Sequence, residues 1–312
     1  MTALITGSMA YDTIMVFQDQ FKNHILPDQV HILNVSFLVP EMRRNYGGCA
    51  GNIAYNLHLL GGEGKPMATV GSDFQPYADW MDAKGVSRDG ITMVEEEFTA
   101  QAFITTDQDD NQITAFHPGA MNHAHINKVS DHAGITLGIV SPDGRQGMIE
   151  HAEQFAAAGI PFIFDPGQGM PMFDGADLTR FAEQATYCAF NDYEAKLMEE
   201  RTGKTMEQLA EMVEAVIVTR GGEGSYIYTQ GQRLEIPVAK PDALVDPTGC
   251  GDAYRGGLLF GLMKGYDWAI TARIASLMGA YKIESQGPQN HSFTKNEFAA
   301  RFEASFGMSL PG

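Results

Sequence analysis

The chain has 312 residues, 44% of them hydrophobic and 19% charged, which suits one large domain with a sizeable buried core. Its 39 acidic residues against 21 basic ones give a formal net charge of −18; this excludes a basic phosphate-tracking footprint, so neither nucleic acid nor an anionic membrane surface is an expected partner. The three cysteines, Cys49, Cys188 and Cys250, are odd in number and far apart, giving neither a disulfide framework nor a zinc site.

The opening MTALITGSMAYD lacks the basic start and apolar run of a signal peptide, and no stretch reaches transmembrane length, so a cytoplasmic protein is expected. ALITGS reads as a short buried strand ending in a small-residue turn. Residues 11–44 alternate in character and contain Pro27 and Pro40, which favours strands and loops over helix. CAGNIAYNLHLLG reads as a helix with Ile53, Leu57 and Leu60 on one face and Gly61 ending it. PMATVG follows as a strand, and a helix from Phe74 to Lys84 stops at Gly85. AQAFITT and QITAFHP flank the polar DQDDN and predict a hairpin. From residue 135 the short apolar runs GITLGIVS, IPFIFDP, TYCAFN and AVIVTRG alternate with helix-like sequence.

That alternation predicts an α/β fold with a doubly wound, mostly parallel sheet. The expected core is 1–10, 45–91 and 121–312, with 11–44 and 92–120 forming a small β lid. Ligands on such sheets lie beyond the carboxyl ends of the strands. The polar residues to watch are therefore Ser8, Asp12, Asp165, Gln168, Asn191, Asp192, Thr219 and Arg220. A GxxxxGK[ST] phosphate loop is absent, as is a GxGxxG dinucleotide fingerprint.

DPTGCGDAYRGG, residues 246–257, carries the most chemistry. Asp246-Pro247-Thr248 forms a turn, the glycines let backbone N–H groups converge, and a helix follows with Leu258, Leu259 and Leu262 as its apolar face. A helix N-terminus there favours an anion. A lone GxGD would be read as no more than a charged helix start. The full string, however, resembles the DTxGAGD signature of the ribokinase-like (PfkB) family of sugar and nucleoside kinases. The resemblance implies that Gly249, Cys250 and Gly251 supply a main-chain anion hole, that Asp252 is the catalytic base, and that Thr248 lies along the nucleotide. Pro247 and Cys250 depart from the usual Thr and Ala. Neither change removes a group the chemistry requires.

Three further stretches are similar to segments of the same family, in the same order. NYGGCAGNIAYNLHLLGG resembles its N-terminal motif, which implies that Gly47 and Gly48 admit a sugar and that Asn52 binds its hydroxyls; the plain alternative is a glycine turn feeding a helix. Asp12, just after the first strand, is implied as the carboxylate that accepts from a vicinal diol. Asn191 and Glu194 match an NxxE pattern near the magnesium and phosphates, with Glu194 acting through water; as a bare string it reads equally as a capped helix. Thr219, Gly221 and Gly224 in TRGGEG resemble the segment that contacts the nucleotide.

The segments around residues 21–52, AFHPGAMN and FDPGQG look most like the bacterial adenosine-kinase-type members. Phe103 and Phe116, one on each strand of the hairpin, are candidates to hold a flat base, against the alternative of lid packing. Ser8 and Gln168 are candidates for the base or ribose, and Asn290 for the adenine of ATP. The expected activity is phosphorylation of a ribonucleoside 5′-hydroxyl, adenosine to AMP, in purine salvage, using ATP and Mg²⁺. A monovalent cation such as K⁺ at Asp246 and a homodimer through the lid are further expectations the resemblance adds. The rivals are a ribose or fructose kinase of the same family and a non-catalytic nucleoside-binding protein; retention of Asp252 and the glycine loop weighs against the second.

Overall fold

The computed structural model describes residues 1–25, 34–109 and 111–311. Pro27 and Asp110, read above as part of the lid segments, lie outside the described residues. In chain order the elements are β1 (Thr2–Thr6), β2 (Ala10–Val16), β3 (Glu41–Gly47), α1 (Cys49–Leu59), β4 (Glu63–Gly71), α2 (Gln75–Lys84), β5 (Gly90–Val94), β6 (Ala100–Thr106) and β7 (Gln112–His117). They continue with β8 (Ile135–Val140), α3 (Arg145–Ala158), β9 (Phe162–Phe164), α4 (Gly175–Gln184), β10 (Tyr187–Asn191), α5 (Asp192–Thr202), α6 (Met206–Ala210) and β11 (Ala215–Thr219). The chain ends with β12 (Ser225–Thr229), β13 (Gln232–Ile236), α7 (Cys250–Lys264), α8 (Trp268–Ile283) and α9 (Lys295–Phe306). None of the described helices is long and apolar enough to cross a membrane.

The large sheet runs β13-β12-β11-β10-β9-β8-β1-β4-β5. It is parallel from β5 to β11, with β12 and β13 added antiparallel. Its central strands are apolar throughout because both faces are covered, and successive side chains divide between two cores. Ile5, Ile163 and Ile217 pack on the side of α1, α2 and α7, with Ile53, Leu57 and Leu258. Leu4, Phe162, Phe164, Val216 and Val218 pack on the opposite side with Phe155 of α3, Phe181 of α4 and Met198 of α5. Leu262 is only partly buried at the edge of the first core.

The chain leaves β1 for β4 on one side and later returns through β8 on the other, so the direction of winding reverses between β1 and β8. That is the crevice where this architecture binds ligands. Ser8 and Asp12 leave β1 there.

The small sheet, β3-β2-β6-β7, is built from the segments expected to form a lid and is called the lid sheet below, and β6 and β7 are the predicted hairpin. Its boundaries differ from expectation. Thr92 and Val94 pair with Thr69 and Gly71, so β5 closes the edge of the large sheet instead of opening the lid. Residues 119–120 are pinned to the core as well, with Thr69 Oγ1 donating to the Ala120 carbonyl at 2.6 Å. Conversely, Ala10 and Asn45–Gly47, expected in the core, are lid strand residues.

Candidate active site

The turn before α7 is built from within the chain. Asp246 Oδ1 accepts from the Thr248 N–H at 2.9 Å, and Oδ2 accepts from the Gly287 N–H at 2.8 Å. Gly249 then takes φ +80°, and a Cβ there would sit 2.7 Å from Pro288 Cβ, so only glycine fits. The Cys250 N–H bonds to the Pro247 carbonyl at 3.2 Å, which removes it from the expected anion hole. The N–H groups of Gly249, Gly251 and Asp252 have no acceptor among the described residues, and the space over Gly251 is open. Those three stand at the head of a 15-residue helix, where open donors and the dipole favour an anion. The Cys250 thiol is directed to the Gly279 carbonyl, 3.9 Å away, and burial pushes it up to about 11, opposite to what a nucleophile needs.

Asp252 stands one turn into this helix. Burial pushes its carboxyl up to about 7; the Asn52 amide opposes this, Asp165 and Asp12 add to it, and Arg255 again opposes it. Asn52 Nδ2 donates to Asp252 Oδ2 at 2.7 Å. Asn52 is 5% exposed and its Oδ1 is held by Gln289, so the only group its side chain has left for a sugar hydroxyl is the second Nδ2 proton. Arg255, one turn further along α7, forms a buried 2.9 Å ion pair with Asp165 at the end of β9.

Strand register sorts the lid residues by face, since directly paired residues project the same way. Asp12 pairs with Asn45 on one side and Ala102 on the other, and Ala102 pairs with Phe116. Asp12, Asn45 and Phe116 therefore share one face. Phe103 pairs with Thr13 and Ala115 and belongs to the opposite face, so it cannot close on the same ligand as Asp12. Burial, then the Asp246 charge, hold the Asp12 carboxyl at about 6. Gly47 leaves room for that carboxylate: a Cβ would lie 2.6 Å from Asp12 Oδ2. Gly48, at φ +85°, has the chain's own Ser8 carbonyl and Ala10 N–H within 2.6 Å of where a Cβ would lie, so no side chain fits there.

Ser8 Oγ accepts from the Cys49 N–H at 3.1 Å at the start of α1, leaving its proton to donate. Gln168 is exposed on the turn after β9. Asn290, expected near adenine, instead lies beside the lid: its Nδ2 donates to Gln286 O, and Gly287 separates it from Asn45.

On the nucleotide side, Asn191 and Thr219 are register partners at the ends of β10 and β11. Asn191 and Glu194 form a capping box: Asn191 Oδ1 accepts from Glu194 N, and Glu194 accepts from Asn191 N and Nδ2 at 2.8 and 2.9 Å. Burial raises the Glu194 carboxyl. Gly221 has open space over it, whereas a Cβ on Gly224 would strike the Ile236 carbonyl. Arg220 lies 3.8 Å from the Tyr226 ring centroid, on the face of the ring, and is paired with Glu223.

No three His, Cys, Asp or Glu residues among those described converge as a metal site. Mg²⁺ keeps several waters and takes few protein ligands, so an ion carried by phosphates would need no such cluster; the half-buried Glu194 carboxylate is of the type that would meet it through water. At Asp246 the donors do not fit a resident monovalent cation. The buried Lys282 ammonium already bridges Asp246 O at 2.7 Å and Ser285 O at 3.0 Å, and both carboxylate oxygens are engaged by N–H groups.

Sequence reasoning missed Asn45, Tyr77, Gln289, Lys282 and Arg255. Only Asn45 carried a local signal: it stands two residues before Gly47 on a strand that must face Asp12.

Residues 8–295 match the pfkB family carbohydrate kinase. The chain is 32% identical over 273 residues to a nucleoside kinase of Methanocaldococcus jannaschii, covering 86% of this chain and 89% of that one. The fold is similar to that of Burkholderia thailandensis nucleoside kinase in complex with inosine, with a TM-score of 0.90 and 54% identity over 99% of this chain and all of that one. The same enzyme in complex with ADP and inosine gives 0.88 and 56% over 99% and 98%. The chain belongs to the pfkB family, has the ribokinase-like fold, and is a phosphotransferase.

Proposed function

We propose that the protein transfers the γ-phosphoryl group of ATP to the 5′-hydroxyl of purine ribonucleosides, adenosine and inosine among them, in salvage of preformed nucleosides. The carrying observation is the Asp252 carboxyl, held at about 7 beside three N–H groups at the head of α7 that have no acceptor among the described residues. The inosine and ADP complexes of the Burkholderia thailandensis enzyme support the choice of acceptor and donor.

Asp12 accepts from the ribose diol, Asn45 flanks it, and the Phe116 ring covers the base. The 5′-hydroxyl faces Asp252. As the oxygen attacks the γ-phosphorus, the O–H bond breaks and its proton passes to the Asp252 carboxylate; the new P–O bond forms as the bond to ADP breaks. The N–H groups of Gly249, Gly251 and Asp252, with the helix dipole, stabilise charge on the transferring group. Glu194 would hold, through water, a magnesium ion that would supply charge neutralisation to the phosphates. The nucleotide lies along Asn191, Thr219, Gly221 and Thr248. Closure of the lid excludes water from the phosphoryl group.

Pairing of two copies through the lid edge belongs to the same proposal. Its support is the edge strand β7, which is exposed along its whole length and carries Ile113 and Phe116. A cytoplasmic setting fits an enzyme that uses ATP.

Asp252→Asn tests the mechanism. General base assistance contributes typically ~10²–10⁴-fold, so turnover should fall by at least ~100-fold while inosine binding by titration calorimetry persists. Turnover within a few-fold of wild type would remove Asp252 from the base role.

A further inference from the structure

A run of buried hydrogen bonds leads from the lid strand to Asp252, and its direction is fixed at one end. The Gly47 carbonyl, on β3, can only accept, and Tyr77 Oη donates to it at 2.9 Å. With its proton so used, Tyr77 Oη accepts from Gln289 Nε2 at 2.6 Å. The second Nε2 proton goes to Asn52 Oδ1 at 2.7 Å, which turns Asn52 Nδ2 toward Asp252 Oδ2. Tyr77 and Gln289 are buried, and Gln289 Oε1 has no partner among the described residues, so the Gln289 side chain makes no bond beyond these two.

The chemistry turns on which end of the Asn52 amide meets the base. Nδ2 donates to the carboxylate and stabilises its charge; Oδ1 in that place would set a lone pair against it. Nothing in Asn52 itself distinguishes the two orientations. Gln289 does, because a donor faces Oδ1, and Gln289 is oriented in turn by Tyr77.

We propose that Gln289 is a positioning residue for phosphoryl transfer: through Tyr77 it carries the polarity of the Gly47 carbonyl to Asn52, so that Asn52 always presents a donor to Asp252. This rests on Asp252 being the base. The charged and titratable groups around Asp252 are Asp12 on β2, Asp165 after β9, Arg255 and Cys250 on α7, Cys49 on α1 and Tyr77 on α2. Substituting Gln289 takes one hydrogen bond from Tyr77, whose phenol stays protonated across this pH range, and touches none of the others directly.

The test is the pH profile of kcat/KM for inosine with Mg·ATP, from about pH 5.5 to 9, for wild type, Gln289→Leu, Tyr77→Phe and Asp252→Asn. Loosening one charge-assisted bond to the carboxylate should move the rising limb of Gln289→Leu upward by about half a pH unit or more. Its rate should recover toward wild type above the displaced limb, with inosine KM little changed. Tyr77→Phe, which deletes a single oxygen, should move the limb the same way by less, and it decides the matter alone if Gln289→Leu does not fold. Limbs that coincide with wild type, or a loss of rate equal at every pH, overturn the relay. An active Asp252→Asn with the wild-type limb instead overturns the base assignment, so the two failures are told apart.

Discussion

Asp252 and Asp12 are carboxyls that burial holds well above their ordinary range, at about 7 and about 6. Such groups bind protons more tightly in the folded chain than in the unfolded one, so between about pH 4 and 7 the folded state loses stability as pH rises. Asparagine at either position removes that cost. Asp252→Asn and Asp12→Asn should each melt a few degrees above wild type at pH 8, and the gain should vanish near pH 4 in a pH series of thermal melts. A variant less stable than wild type at pH 8 would show that the charged carboxylate is held more favourably than its burial implies. Both residues were legible from the family's motifs, but their environment was not. The partner that most lowers the Asp252 pKa, Asn52, is 200 positions away in sequence, and Gln289 lies 237 from Asn52. No local pattern encodes contacts of that range.

At the scale of elements, the lid shows what periodicity delivers and where it stops. Alternation and a polar turn were enough to predict the β6–β7 hairpin. They could not say which face of it meets the ligand, because that depends on pairing with β2 and β3. Once Asp12 pairs with Ala102, the two phenylalanines part company. Base–aromatic stacking is worth about 1–3 kcal/mol, and Phe116, 52% exposed without ligand, should deliver the lower part of that range. Phe116→Ala should therefore raise the nucleoside KM about fivefold or more, while Phe103→Ala leaves it within about twofold. Equal effects from both would mean that the lid face has been misassigned. The same dependence on neighbours explains β5: residues from 92 onward were expected in the lid, and only pairing with β4 assigns this strand to the large sheet.

For the molecule as a whole, the parallel sheet follows from short apolar runs separated by helices, and its two cores follow from the period of two within each run. The reversal of winding between β1 and β8 then sets Ser8 and Asp12 at the crevice. The approach of α7 then brings Asp252, at its N-terminus, to Asn52 of α1 and into the field of Asp12. A chain with net charge −18 meets anionic phosphates only through local donors such as that helix N-terminus. The central claim is that this crevice phosphorylates nucleosides, and it is tested most directly by ADP release from Mg·ATP with adenosine, inosine, cytidine, ribose and fructose as acceptors. Rapid turnover with adenosine and inosine and none above background with ribose or fructose is the predicted result. Turnover with a free sugar and none with any nucleoside would contradict it.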